Sequence, residues 1–212
     1  MRVVVLISGR GSNLRALLQA DLPVTFAAVI SNRADAGGLA IAAAHGVPTQ
    51  VLAHQAYADR AAYDGALAQA IDAHAPDLVV LAGFMRVLTA DFVRRYHGRM
   101  INIHPALLPA FPGLNTHARA IAAGVRVHGC TVHFVTAEVD AGPIIAQAAV
   151  PVRAGDDAQT LAARVLRQEH RLFPTVLRWF AQERVSLRDD GRVAVRLDED
   201  IDEDAALVAP SG

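Results

Sequence analysis

Four short runs, residues 3–7, 24–30, 78–82 and 100–103, are apolar almost without interruption. A strand wetted on one face alternates polar with apolar side chains; a strand buried on both faces does not. Segments of helical spacing lie between these runs. Residues 13–20 place Leu14, Leu17 and Leu18 together, and residues 38–45 form a second helix that Gly46-Val47-Pro48 ends. A short strand is expected near residues 50–52. Residues 59–74 form a longer helix, with Ala62, Ala66, Leu67, Ala70 and Ile71 as its apolar stripe. Doubly buried strands alternating with helices predict an α/β fold: a doubly wound, mostly parallel sheet with helices on both faces.

The later part of the chain changes pattern. Residues 127–135 and 144–152 read as two longer strands around the turn-rich "TAEVDAG", an antiparallel addition to the sheet. Residues 158–182 form a long helix in which Pro174 is expected to make a kink. Residues 185–197 read as a hairpin around Asp189-Asp190-Gly191. Residues 198–212 are acidic and weakly apolar, as in a mobile tail. With no repeat and no linker-like stretch, residues 1–212 are expected to form a single domain.

Charge and cysteine content exclude several functions. The net charge of -1 supplies no basic field for nucleic acid, and no polybasic stretch marks a membrane surface. One cysteine, Cys130, rules out an intrachain disulfide and suits a reducing compartment. The N-terminal apolar run is too short for a signal-peptide core, so the cytoplasm is the expected location. Despite nine histidines there is no H-E-x-x-H motif, and no metal is expected. Without a G-x-S-x-G elbow, a serine hydrolase is disfavoured.

Four motifs carry the chemistry. "SGRGSN" joins the first strand to the first helix; it reads either as a plain turn or as an anion site, where the helix N-terminus presents unpaired N–H groups, Ser12 can cap the helix and Asn13 can donate to a phosphate. The third glycine of a dinucleotide fingerprint is replaced by Leu14, and no acid ends the second strand. A phosphate monoester is therefore favoured over NAD. "AGFMRVL" follows a buried strand, and Phe84, Met85, Val87 and Leu88 either line an apolar slot or pack their side chains in a helix-capping turn. In "MINIHPALLP", Asn102 and His104 lie on one side of a strand at its carboxyl end, where ligands bind in this fold class. In "VHGCTVHFVTAEVDAGPII", His133 either faces the site or fills the core. Cys130 reads as an inert core thiol, and Asp140 as a turn former unless space brings it to His104.

Taken with "RQEH", the order and spacing of these stretches from residue 1 to about 187 resemble the phosphoribosylglycinamide formyltransferases, folate-dependent enzymes of purine synthesis. The resemblance implies a nucleotide-binding half over about 1–100 and a folate and catalytic half over about 101–187. It implies a catalytic trio of Asn102, His104 and Asp140. It implies ribonucleotide contacts from Gly11, Ser12, Asn13, Gln168 and Glu169. Folate contacts are implied at Arg60, Met85, Arg86, Val87, Leu88 and Asn102, and at Thr136, Ala137, Glu138, Val139 and Asp140. The co-substrate implied is 10-formyltetrahydrofolate and the acceptor glycinamide ribonucleotide, with no metal, nucleic acid or membrane. A homodimer is left open.

In the implied reaction the amine attacks directly, Asn102 donates to the oxyanion, and His104 carries charge and proton. Asp140 orients the ring and favours its charged form. The chain departs from the family at Ala110, at Asn115 and at Ala141, where glycine is usual; the last is expected to restrict the loop. The rivals are a formyltetrahydrofolate hydrolase, a formyltransferase for another amine, and a non-catalytic nucleotide-binding module.

Overall fold

The computed structural model describes residues 1–196. The acidic tail expected over residues 198–212 lies outside the described residues. Seven strands form one sheet in the order β3-β2-β1-β4-β5-β6-β7. They are β1 (Arg2–Ile7), β2 (Thr25–Ser31), β3 (Thr49–Val51), β4 (Leu78–Leu81), β5 (Met100–His104), β6 (Val127–Phe134) and β7 (Ile144–Pro151). The first five are parallel; β6 runs antiparallel to β5, and β7 to β6. A separate two-stranded hairpin pairs β8 (Val185–Leu187) with β9 (Val193–Val195).

The continuous apolar runs are the centre of the sheet, and Val3 to Ile7 are fully buried. On one face Val3, Val5 and Ile7 pack with α1 (Ser12–Gln19), α2 (Gly37–Ala44) and α6 (Ala158–Ala181). On the other, Val4 and Leu6 pack with α3 (Arg60–Asp72) and α4 (Ala90–Arg95). From β1 the chain winds outward through β2 and β3, then returns to β4 on the opposite side. The order reverses between β1 and β4, and at their carboxyl ends this opens the crevice where ligands bind in such sheets.

Several local expectations change. The buried stripe of α3 is Tyr63, Leu67 and Ile71, flanked by Asp64 and Ala68, whereas Ala62 is exposed. One large tyrosine fills the space that small alanines cannot. Gly11, not Ser12, is the N-cap of α1, and no side chain caps that end. The long helix is as expected: α6 carries Pro174, which removes the bond to the carbonyl four residues back, inside its span to Ala181. Two short helices, α4 and α5 (Thr116–Ala122), have too few turns for their periodicity to stand out.

Candidate active site

The crevice is closed at its base by two hydrogen bonds of Ser8, one from its backbone and one to its hydroxyl. Ser8, just past β1, donates its N–H to the Gly83 carbonyl at 3.1 Å. Its hydroxyl accepts from the Met85 N–H at 2.8 Å. The loops after β1 and β4 are thereby stitched together. Gly11 has φ +77°, and a Cβ there would lie 2.5 Å from the Gly38 Cα. Only glycine lets the start of α1 settle against α2, leaving the first amide groups of α1 uncapped and open to an anion.

Asn13 Nδ2 donates to Glu169 Oε2 of α6 at 2.7 Å, while Asn13 Oδ1 is buried without a partner. Glu169 is 7% exposed, and burial pushes its carboxyl up, partly offset by the Asn13 bond. Gln168 is directed elsewhere. It lines a cavity of about 580 Å³ with Pro151, Arg153, Arg164 and Arg167. Successive helix residues point about 100° apart, so neighbours in sequence serve different surfaces.

The second cluster forms where β5 ends. Asn102 and His104 project from one face, across from His133 and Thr131 of β6. The chain leaves β6 at Phe134, opposite Ile101, and loops back over that face before entering β7. The loop brings Asp140 Oδ2 to 3.2 Å from His104 Nδ1. Asp140 adopts φ 55° and accepts the Gly113 N–H at 2.8 Å. His104 is 5% exposed, and its Nε2 lies 3.0 Å from the Phe111 carbonyl.

A carbonyl can only accept, so Nε2 carries a proton, and Nδ1 is the nitrogen left to exchange one with Asp140. Asn102 Nδ2 lies 3.2 Å from His133 Nε2. The same His133 Nε2 lies 3.7 Å from Asp140 Oδ1, so His133 links Asn102 to the His104–Asp140 pair, which Phe111 and Gly113 clamp. Those two act through backbone atoms, which no side-chain motif reveals.

Beneath this cluster Thr131 ties the exit of β5 to β7. Its hydroxyl donates to the Ala106 carbonyl at 2.7 Å and accepts from the Leu108 N–H and Gln147 Nε2, each at 3.0 Å. His117 Nδ1 and His128 Nε2 lie 3.2 Å apart. Burial, with His117 adjacent, lowers His128 to about 4. Cys130 is fully buried, and burial pushes its thiol up to about 12, so it is no nucleophile at neutral pH.

Of the expected apolar slot, Phe84 and Leu88 belong to the core, while Met85 and Val87 are 70% and 49% exposed. Arg86 lies over the Tyr63 ring at 4.7 Å, and Arg60, three residues before Tyr63, is exposed at the start of α3. In the loop after β6, Thr136 Oγ1 donates to the Glu138 carbonyl at 3.1 Å, Ala137 and Glu138 are exposed, and Val139 is 50% exposed. Ala141 is not among the residues with positive φ, so the loop does not need glycine there. It does at Gly142, where a Cβ would meet the Phe134 carbonyl at 1.8 Å. Asn115, another departure, sits at φ 57°, a conformation asparagine tolerates well.

Among the described residues, no three His, Cys, Asp or Glu side chains gather as a metal site requires. No helix there is long and apolar enough to cross a membrane.

The formyl transferase family model matches residues 1–177. Phosphoribosylglycinamide formyltransferase of Escherichia coli (strain K12) is 50% identical over 194 residues, spanning 90% of this chain and 92% of that protein. The crystal structure of glycinamide ribonucleotide transformylase 1 from Symbiobacterium toebii superposes with a TM-score of 0.88 at 48% identity, covering 92% of this chain and 93% of that one. A formyltetrahydrofolate deformylase from Pseudomonas syringae pv. tomato superposes with a TM-score of 0.84 at 31% identity, covering 92% of this chain and 65% of that one.

Proposed function

This chain belongs to the formyl transferase family, and from that premise we propose that it moves the formyl group of 10-formyltetrahydrofolate onto the amine of glycinamide ribonucleotide. One observation carries the reading: a glycine-built anion loop and the Asn102–His104–Asp140 cluster open on the same edge of one sheet. The anion loop follows β1, and the cluster ends β5, two strands away. Strands spaced by about 4.8 Å put these roughly 10 Å apart, a reach that suits a ribose phosphate bearing a short amine arm.

The ribonucleotide phosphate takes the free amides of Gly11, Ser12 and Asn13, and Glu169 lies beside them to meet the ribose. The folate supplies the activated formyl group. The exposed Met85 and Val87, with Val139 of the loop after β6, offer apolar surface for its ring, and Arg60 and Arg86 offer charge for its acidic end.

The amine is already a nucleophile, so no enzyme-bound acyl group forms. Its lone pair attacks the formyl carbon, and the carbonyl electrons move to oxygen. Asn102 donates an N–H to that oxyanion; one such donor is typically worth about a hundred- to a thousandfold in rate. The new C–N bond leaves the amine nitrogen one proton in excess, and the departing folate nitrogen needs one. His104 gives its Nδ1 proton to the folate nitrogen and takes the amine's excess proton in its place, while Asp140 balances the charge of the ring. Collapse of the tetrahedral species breaks the bond to the folate nitrogen. Holding two substrates in one crevice supplies several kcal/mol more.

The test is to follow 10-formyltetrahydrofolate by absorbance with and without glycinamide ribonucleotide, and to look for the formylated ribonucleotide by mass spectrometry. Turnover only with the ribonucleotide, giving the formylated product, is expected. Equal turnover in both samples would make the protein a hydrolase, and none in either a binding module.

A further inference from the structure

The trio leaves one question of aim. An amide side chain presents two N–H groups at one end and an acceptor oxygen at the other, and a half-turn exchanges them. A donor to an oxyanion is useful only if that half-turn is forbidden. His133 is placed to forbid it. It lies in β6 directly across from Asn102, and the pairing of β6 with β7 shifts register between Val132 and His133. Such an irregularity re-aims a side chain. His133 is 2% exposed.

Its Nδ1 lies 2.9 Å from the Phe134 carbonyl, which can only accept, so the ring proton sits on Nδ1. The Nε2 of a neutral ring then carries a lone pair, and it is this atom that Asn102 Nδ2 approaches at 3.2 Å. We infer that His133 is a positioning residue: its Nε2 lone pair accepts one N–H of Asn102 and thereby aims the other at the reacting oxygen. The inference rests on the proposed role of Asn102.

The groups facing His133 oppose one another. Asp140 Oδ1, from the loop after β6, stands 3.7 Å from Nε2 and favours a proton there, as does the Phe134 carbonyl at Nδ1. Burial comes first among the causes that hold the ring below its usual range, and His104 of β5 adds to it. The neutral form is the one the geometry uses. A proton on Nε2 would attract the Asn102 oxygen and turn the amide away.

A core-filling residue could be replaced by one of similar bulk, and this separates the two roles. His133→Phe should lower kcat roughly tenfold to a hundredfold, part of what a lost donor costs, with the ribonucleotide KM within about twofold. His133→Gln, which keeps an acceptor, should recover part of that loss. In an Asn102→Ala background His133→Phe should add nothing, because no amide remains to aim. Full activity of His133→Phe, or the same loss in both backgrounds, would overturn the inference.

The ring ¹⁵N shifts of wild-type protein near pH 7 give a second reading that needs no variant to fold. A neutral ring protonated at Nδ1 is expected, and a protonated Nε2 overturns the inference. If Asn102→Ala turned over normally, the oxyanion role would fail on its own terms. The ¹⁵N result would still say whether His133 offers the Nε2 lone pair that accepts from Asn102.

Discussion

The proposed anion loop and the proposed catalytic cluster sit on one sheet edge but are built from different material. The loop is backbone. Gly11 and Gly38 let α1 and α2 touch, Ser8 ties two turns together, and the donors are main-chain amides. The cluster is side chains drawn from β5, β6 and the loop after β6. Its parts are fixed by a 3.2 Å contact between His104 and Asp140 and by clamps from Phe111 and Gly113. A backbone site should tolerate side-chain changes and fail when a Cβ is added. A side-chain site should do the reverse.

The largest expected effect is in the cluster. His104→Ala should lower kcat by about 10² to 10⁴, with the ribonucleotide Kd unchanged by calorimetry. A weakened Kd with normal turnover would erase the distinction. Asp140→Asn should follow with a smaller loss of kcat, because an amide cannot supply the negative charge that faces His104 Nδ1.

The two regions should also part under acid. His128 is lowered to about 4 by burial and by His117. Between about pH 6.5 and 4 the unfolded chain binds a proton that the folded one refuses, so stability falls as pH falls through that window. At pH 4 this costs on the order of 3 kcal/mol. His117 and His133 are shifted the same way by burial. Glu169 beside the anion loop has the opposite sign. Its carboxyl is pushed up, so its cost appears as pH rises past the ordinary carboxylate range. Melting curves from pH 7 to 4 should show the loss, and His128→Phe should blunt it; a flat Tm across that range would contradict the assignment.

On the loop side, Gly11→Ala forces a left-handed residue and a 2.5 Å contact. It should cost roughly 1–2 kcal/mol, seen as a Tm lower by several degrees, and weaken ribonucleotide binding. Ser12→Ala should be milder, a severalfold rise in ribonucleotide KM, because the amide and not the hydroxyl is the main donor. If Ser12→Ala were the more damaging, the loop would be a side-chain site after all.

How much of each region could be read in advance follows the same division. The buried strands announce themselves as uninterrupted apolar runs, and the loop as glycines between a strand and a helix. Asn102 and His104 stand out as polar groups at the end of an apolar strand. Asp140 is thirty-six positions beyond His104, and only the family resemblance joined them; locally it looks like any turn aspartate. Phe111 and Gly113 act through backbone atoms, which leave no mark in side-chain chemistry. The contact of His133 with Asn102 depends on register between antiparallel strands, which a one-residue slip would abolish. Phe84 and Leu88 could not be told from Met85 and Val87 by hydrophobicity, because all four are apolar and only packing separates them.

Asn102 carries the central step of the proposed reaction. The measurement is the turnover of Asn102→Ala alongside its affinity for glycinamide ribonucleotide, both against wild type. A fall in kcat of about a hundredfold or more with an unchanged Kd is expected. Unchanged turnover, or a loss confined to ribonucleotide binding, would contradict it.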